Sequence, residues 1–258
     1  MPTKSRKNDD GRFVLISRAK LIALFDNAVR CRMLSDALKP STADRKRWAS
    51  AAAAVSACID IGKGDLLAAH VHDALPALVT GESVPRVLAA RRKPAAAERL
   101  RFDMRLKSAL ATARKLAKSS NGKVVVAFRG TVTDRNWRAL LDAVQSERLP
   151  MLLVANCDID KKVGEGAPAG MPSMIVDRDD VLGIYRAAAE SMRHARKGNG
   201  PSLIECVPWS LEGCIEPTDT IAALEAYLAK KGIAAARRRA KVAAEFAPVL
   251  AREKSRKK

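Results

Sequence analysis

The stretch 123-KVVVAFRG-130, continued by 131-TVTDRNWRALLDAVQSER-148 and 149-LPMLLVANCD-158, decides the fold. An apolar run from Val124 to Phe128 ends at Gly130 and gives way to a polar turn, Thr131-Val132-Thr133-Asp134. Trp137, Leu140, Leu141 and Val144 then recur at helical spacing. Leu149-Pro150 ends that helix, and Met151 to Val154 forms a second apolar run. Both runs are apolar on both faces, as strands of a parallel sheet covered on each side must be. The chain is therefore expected to be α/β, a parallel sheet flanked by helices. Ligands of such sheets lie at the carboxyl ends of the strands. Here those ends are Phe128-Arg129-Gly130-Thr131 and Ala155-Asn156-Cys157-Asp158.

The chain has 258 residues, enough for one domain with a sizeable core. No apolar stretch of about 18 residues is present, so no membrane span is expected. The first twelve residues are polar, and no signal peptide is expected. Cys31, Cys58, Cys157, Cys206 and Cys214 show no paired spacing, which reads as reduced, mostly buried thiols in a cytoplasmic protein. Lys and Arg number 47 against 28 acidic residues, a net charge of +19. That balance suits nucleic acid or another acidic surface. The densest basic cluster is Arg237-Arg238-Arg239, Lys241 and the tail from Arg252 to Lys258. Aromatic residues are only 4%, so the stacking platform of a single-strand binder is missing. Solvated helix faces and a frayed tail are the plainer reading of the charge.

Working outward, Ser17 to Leu38 is predicted as a helix capped by Ser17, with Ala19, Ile22, Ala23, Asp26, Val29 and Met33 setting the stripe. Leu21, Leu24, Phe25 and Ala28 widen it. Ser41 to Asp60 reads as a second helix and Gly62-Lys63-Gly64-Asp65 as a turn. The Pro-punctuated segment from Glu82 to Ala97 reads as a connector with a short helix, followed by a helix from Ala95 to Lys118. After Asp158 comes a Gly-rich loop. Met174 to Asp177 then leads to Asp179-Asp180, a cap for a helix from Val181 to Lys197. Ser202 to Val207 reads as a strand. Pro217-Thr218-Asp219 starts a helix closed by Gly232, and a basic helix runs from Ile233 to Lys254.

Several of these segments resemble one family, the alpha subunits of the thiamine-diphosphate-dependent 2-oxo-acid dehydrogenases acting on pyruvate, branched-chain substrates or acetoin. Val176-Asp177-Arg178-Asp179-Asp180-Val181 is similar to the family's Val-Asp-Gly-Asn-Asp-Val. Gly200-Pro201-Ser202-Leu203-Ile204-Glu205 fits its Gly-Pro-x-Leu-Ile-Glu, and Arg30 to Leu34 resembles its basic Met-Leu helix. The resemblance runs from Ser17 to Leu250 and is strongest from Lys107 to Glu205. It implies a single thiamine-enzyme-like domain. Residues 1–12 would be a disordered basic tail, 17–97 an N-terminal helical portion, 98–232 the diphosphate-binding-like core, and 233–258 the basic helix and tail.

In that family the first strand ends in Gly-Asp-Gly and the second in Asn-Asn. The Asp, the second Asn and a backbone carbonyl hold magnesium, which holds the cofactor's diphosphate. A register anchored on Leu149-Pro150 puts Phe128-Arg129-Gly130 and Cys157-Asp158 at those positions. The resemblance also puts His72 where the family has a diphosphate-binding Arg, and Ala74 at a nearby His. Ser210 and Cys214 stand for the Arg and His of a Tyr-Arg-x-x-Gly-His element.

Magnesium needs oxygen ligands in tight octahedral geometry, and a guanidinium supplies none and stays charged. Arg129, Gly130, Thr131 and Asp158 are thus the candidate cofactor-binding residues of a degenerate site. No catalytic residue, metal ligand or cofactor is expected. Arg129 is read either as an ion pair with Asp158 or as a direct phosphate ligand beside the helix start at Thr131 to Asp134.

Three functional readings stay open. One is a degenerate alpha-subunit-like protein with a structural or binding role. A second is a working subunit using thiamine diphosphate and magnesium with a beta-type partner. The third is a nucleic-acid-associated protein. Self-association and binding through the basic tail belong among the expected partnerships, and membrane association does not.

Overall fold

The computed structural model describes residues 16–38, 50–68, 74–90, 95–119, 121–129, 135–156, 166–208 and 219–255. Helix α1 (Arg18–Leu38) opens with its predicted cap, Ser17 Oγ accepting from the Lys20 N–H at 3.2 Å. Helix α2 (Ala51–Cys58), strand β1 (Leu66–Ala68) and two short helices, α3 (Ala74–Val79) and α4 (Val84–Ala90), follow. A long helix α5 (Ala95–Ser119) leads into the unit that the sequence made plain: β2 (Val125–Arg129), α6 (Arg135–Ser146) and β3 (Met151–Asn156). Beyond it lie β4 (Ser173–Asp177), α7 (Val181–Arg196), β5 (Ser202–Val207), α8 (Thr220–Lys230) and α9 (Ala235–Ser255).

The strands form one parallel sheet in the order β1-β2-β3-β5-β4. From β1 to β3 the chain steps one way across the sheet, and from β4 to β5 it steps back. Right-handed crossovers then require the intervening helices to fall on opposite faces. They do. Ala109 and Ala113 of α5 and Trp137, Leu141 and Val144 of α6 pack with Val125, Ala127, Met151, Leu153 and Ala155. Ile184, Ala188 and Met192 of α7 join α1 and α2 against Val126, Phe128, Leu152, Val154 and Ile204. The expected α/β fold is thus observed. Both faces of β2 and β3 are covered, which is why these strands carry no polar alternation.

The amino end of the sheet is tied by a buried carboxylate. The Asp65 side chain, only 2% exposed, accepts from the Gly62 N–H at 2.8 Å, the Val124 N–H at 3.0 Å and Arg196 at 2.7 Å. Nearby, Lys20 of α1 pairs with Asp60 and lies over the Tyr185 ring. Burial, with Asp60 beside it, pushes the Tyr185 hydroxyl up to about 12. Arg238 of α9 grips Asp26 of α1 through two bonds of 2.7 and 2.6 Å.

Several expectations need correction. In α1 the residues that bury fully are Leu21, Leu24, Phe25, Ala28, Val29, Cys31 and Leu34. Ala19 is exposed, and Ile22, Ala23, Asp26 and Met33 are half-buried. The core stripe is centred on the residues expected only to widen it. Residues 41–49 of the expected Ser41–Asp60 helix lie outside the described residues, and at Ser50, with an extended ψ of 152° and its side chain accepting from the Ala53 N–H, a helix is begun rather than continued. Strand β1 was not anticipated, because three residues, Leu66 to Ala68, are too short for a periodic signal. Helix α3 was not anticipated, whereas α5 to α9 begin and end within a few residues of expectation, with Asp180 and Asp219 as N-caps and Gly232 at φ 67° closing α8.

Candidate functional site at the carboxyl end of the sheet

Among the described residues the topology points to one end of the sheet as the place for a ligand. Strand β2 sends the chain to the α6 face, whereas β5 sends it to the face carrying α8. Ligands of parallel sheets bind outside the carboxyl ends of the strands. The backbone of Arg129 ends β2 there, with its Cα in register with Ala155 of β3. Asn156 ends β3 opposite Cys206, and Asp177 ends β4 opposite Val207.

Of the candidate cofactor residues, Arg129 is therefore at the predicted strand end. Gly130, Thr131 and Asp158 lie outside the described residues, as do Cys157, His72, Ser210 and Cys214. The expected Arg129–Asp158 ion pair falls outside them too. Among the described residues no group of three or more His, Cys, Asp or Glu could hold a metal.

The other half of this end is closed by capped helices. Asp180 Oδ1 accepts from the Leu182 and Gly183 N–H groups at 3.0 and 2.9 Å, and Asp219 Oδ1 from those of Ile221 and Ala222 at 2.8 and 3.3 Å. Ser50 caps α2 and donates from its hydroxyl to the Arg178 carbonyl at 2.6 Å. Thr220 Oγ1 donates to Asp179 Oδ1 at 3.3 Å, and the Arg178 N–H reaches the Val207 carbonyl at 2.8 Å. Three helix N-termini thus converge around the β4–α7 turn. Asp180 and Asp219 each satisfy two leading N–H groups of α7 and α8, and Ser50 satisfies the Ala53 N–H of α2, so the starts of α7 and α8 offer no open anion site.

The carboxylates here differ. The Arg32 guanidinium, bound at 2.9 Å, holds Asp219 below its ordinary range, with the helix N–H groups helping. Burial raises Asp179, and Asp177 adds to the rise, while Arg178, Thr220 and Arg32 oppose it. Glu205, 1% exposed in the middle of β5, is in register with Ala155 on one side and Ile175 on the other. Sequence reading used Glu205 only as part of a motif. It missed the Asp179–Thr220 contact, whose members lie 41 residues apart.

The family match falls on this half of the molecule. Residues 156–215 match the family described as the dehydrogenase E1 component. That span takes in β4, α7, β5 and the β4–α7 turn. The chain is 39% identical over 71 residues to the alpha subunit of acetoin:2,6-dichlorophenolindophenol oxidoreductase of Bacillus subtilis, covering 27% of this chain and 20% of that protein. It is 30% identical over 115 residues to the chloroplastic pyruvate dehydrogenase E1 component subunit alpha-3 of Arabidopsis thaliana, covering 39% and 27% respectively. A third match, 50% identical over 42 residues, is to the alpha subunit of 3-methyl-2-oxobutanoate dehydrogenase of Mycobacterium tuberculosis, at 16% and 11%. The chain is thus similar to the alpha subunits of pyruvate, acetoin and branched-chain 2-oxo-acid dehydrogenases, as its motifs indicated. It spans about a quarter or less of the length of these relatives.

Proposed function

We propose that this chain is a dehydrogenase alpha-subunit-like protein whose diphosphate site no longer takes a metal-bridged cofactor, and which acts as a structural or binding component with little catalysis of its own. The observation that carries the reading is Arg129, which ends β2 at the carboxyl end of the sheet, where the resemblance calls for a metal-binding Asp. The donor chemistry does not fit magnesium. An Arg there removes an anionic oxygen and adds a permanent cation. Two unit charges about 4 Å apart repel by about 1 kcal/mol in water and about 4 kcal/mol at an effective dielectric near 20. A divalent ion roughly doubles that. Such a cost weakens metal binding by orders of magnitude. The carboxylate-capped N-termini of α7 and α8 offer the diphosphate no substitute.

Calorimetry with thiamine diphosphate, with and without magnesium, tests this. No magnesium-dependent heat is expected. Micromolar binding that requires magnesium and vanishes with a chelator would overturn the proposal. It would favour a working subunit that acts on 2-oxo acids or acetoin with a beta-type partner. Magnesium-independent binding lost in Arg129→Ala would instead make Arg129 a direct phosphate ligand.

A further inference from the structure

The basic excess of the chain has a concentrated part. Between Lys230 and Ser255 there are eight Lys and Arg against two Glu. Some of these cations are used internally. Arg238 is bound to Asp26, and Arg239 approaches Glu225 at 3.5 Å. Lys241 meets Glu245 only at 3.9 Å, with both side chains largely in solvent, a pairing of little energetic weight. Lys230, Lys231 and Arg237 are exposed, and among the described residues none of them has a carboxylate partner. Arg18, at the start of α1, reaches the Gly232 carbonyl between α8 and α9 at 3.1 Å, bringing a further cation to the same junction.

Folding accounts for only part of this cluster: Lys230 and Lys231 end α8, where cations complement the helix macrodipole, and Lys231 lies over the Tyr227 ring at 5.7 Å, but Arg237 has no such role. The first turn of α9 has no acidic residue, and Arg237 lies in it. Cations at that end oppose the helix macrodipole, so they cost stability rather than adding to it. The face also lacks the anchors of a protein interface, which centre on buried aromatic and apolar residues. Among the described residues the exposed large hydrophobics are Ile175, on the edge strand β4, and Val249, towards the far end of α9. Cations without apolar anchors suit a partner recognised by charge alone, and a phosphodiester backbone is such a partner.

We propose that the α8–α9 junction, with Lys230, Lys231, Arg237 and Arg18, is a docking face for double-stranded nucleic acid, bound through its phosphates without base readout. The inference does not depend on the fate of the cofactor site.

The test is fluorescence anisotropy of the full chain with a labelled mixed-sequence duplex, titrated from about 50 to about 150 mM salt. Binding should weaken steeply, with a log–log slope of roughly −0.9 per phosphate contact. The triple variant Lys230→Glu, Lys231→Glu, Arg237→Glu should lose at least tenfold in affinity and roughly 2.7 units of slope. The control triple Lys107→Glu, Lys115→Glu, Lys118→Glu changes net charge equally. It alters exposed positions of α5, the helix on the opposite face of the sheet. It should stay within about twofold of the parent. Melting curves of both triples establish that they fold, and the neutral variant Arg237→Gln gives a milder test of the same face. Equal losses in the two triples would show diffuse attraction rather than a face and overturn the proposal. So would absence of binding at low salt, or competition by polyglutamate stronger than by unlabelled duplex, which would point to an acidic protein.

Discussion

Asp65 and Asp179 carry the same functional group and have opposite consequences. Asp65 has its carboxylate satisfied by two backbone N–H groups and Arg196 while almost wholly buried. Asp65→Ala would leave those donors unmet at the start of β2, so a loss of about 3 kcal/mol is expected in chemical denaturation. A loss below about 1 kcal/mol would mean that water replaces the carboxylate there. Asp179 is raised by burial above its ordinary value of 3.8. Its folded form therefore holds the proton more tightly than its unfolded form, and ionised Asp179 opposes folding above the folded pKa. That penalty disappears once the pH falls below the unfolded value. Asp179→Asn keeps the Oδ1 acceptor for Thr220 and should unfold at higher denaturant than the parent at pH 7, with the gap closing by about pH 3.5. A gap unchanged across that range would assign the effect to packing instead. Neither role was legible in the sequence. Asp65 showed only as the end of a Gly-rich turn, and its partners Val124 and Arg196 lie 59 and 131 residues away.

Among the elements, legibility followed length and burial. Helices α6 and α7 were readable because Trp137, Leu140, Leu141 and Val144, and Val181, Ile184, Ala188, Met192 and Ala195, all face one side and bury. Helix α1 was readable as a helix but not in phase, because apolar residues occur around much of its circumference and the pattern does not say which arc meets the core. Helix α9 shows how packing overrides propensity. Pro248 lies inside it, where its missing N–H and ring both disfavour a helix. Buried Val242, Phe246 and Leu250 recur every four residues and hold the helix across the break. Pro248 is exposed. Pro248→Ala should therefore stabilise the protein, by up to about 3 kcal/mol if the helix interior term is fully recovered. Thermal unfolding reads this directly. A lower melting temperature would show that the proline bend is what brings Leu250 to the core.

For the whole molecule, a parallel sheet could be inferred from its apolar strands, but the order β1-β2-β3-β5-β4 could not, since it depends on a crossover between β3 and β4 that no local pattern encodes. That order puts Arg129 at the carboxyl end of β2 beside β3, where the resemblance makes its identity consequential. A magnesium–diphosphate site is a property of several segments at once, so one residue should not restore it. Arg129→Asp returns an anionic oxygen to the end of β2 and removes the repelling charge. It leaves His72, Ala74, Ser210 and Cys214 where the resembling family has an Arg, a His, an Arg and a His. The diphosphate would still lack its cationic partners, and no proton carrier would stand near a bound intermediate. The expected result for Arg129→Asp is therefore no magnesium-dependent thiamine diphosphate binding at micromolar concentration, and no 2-oxo-acid decarboxylation when a beta-type subunit is supplied. Magnesium-dependent binding in this variant, absent from the parent, would show that Arg129 alone blocks a site otherwise intact. Decarboxylation as well would show that the remaining positions can be served by other groups, and the chain would then be a subunit silenced at a single residue.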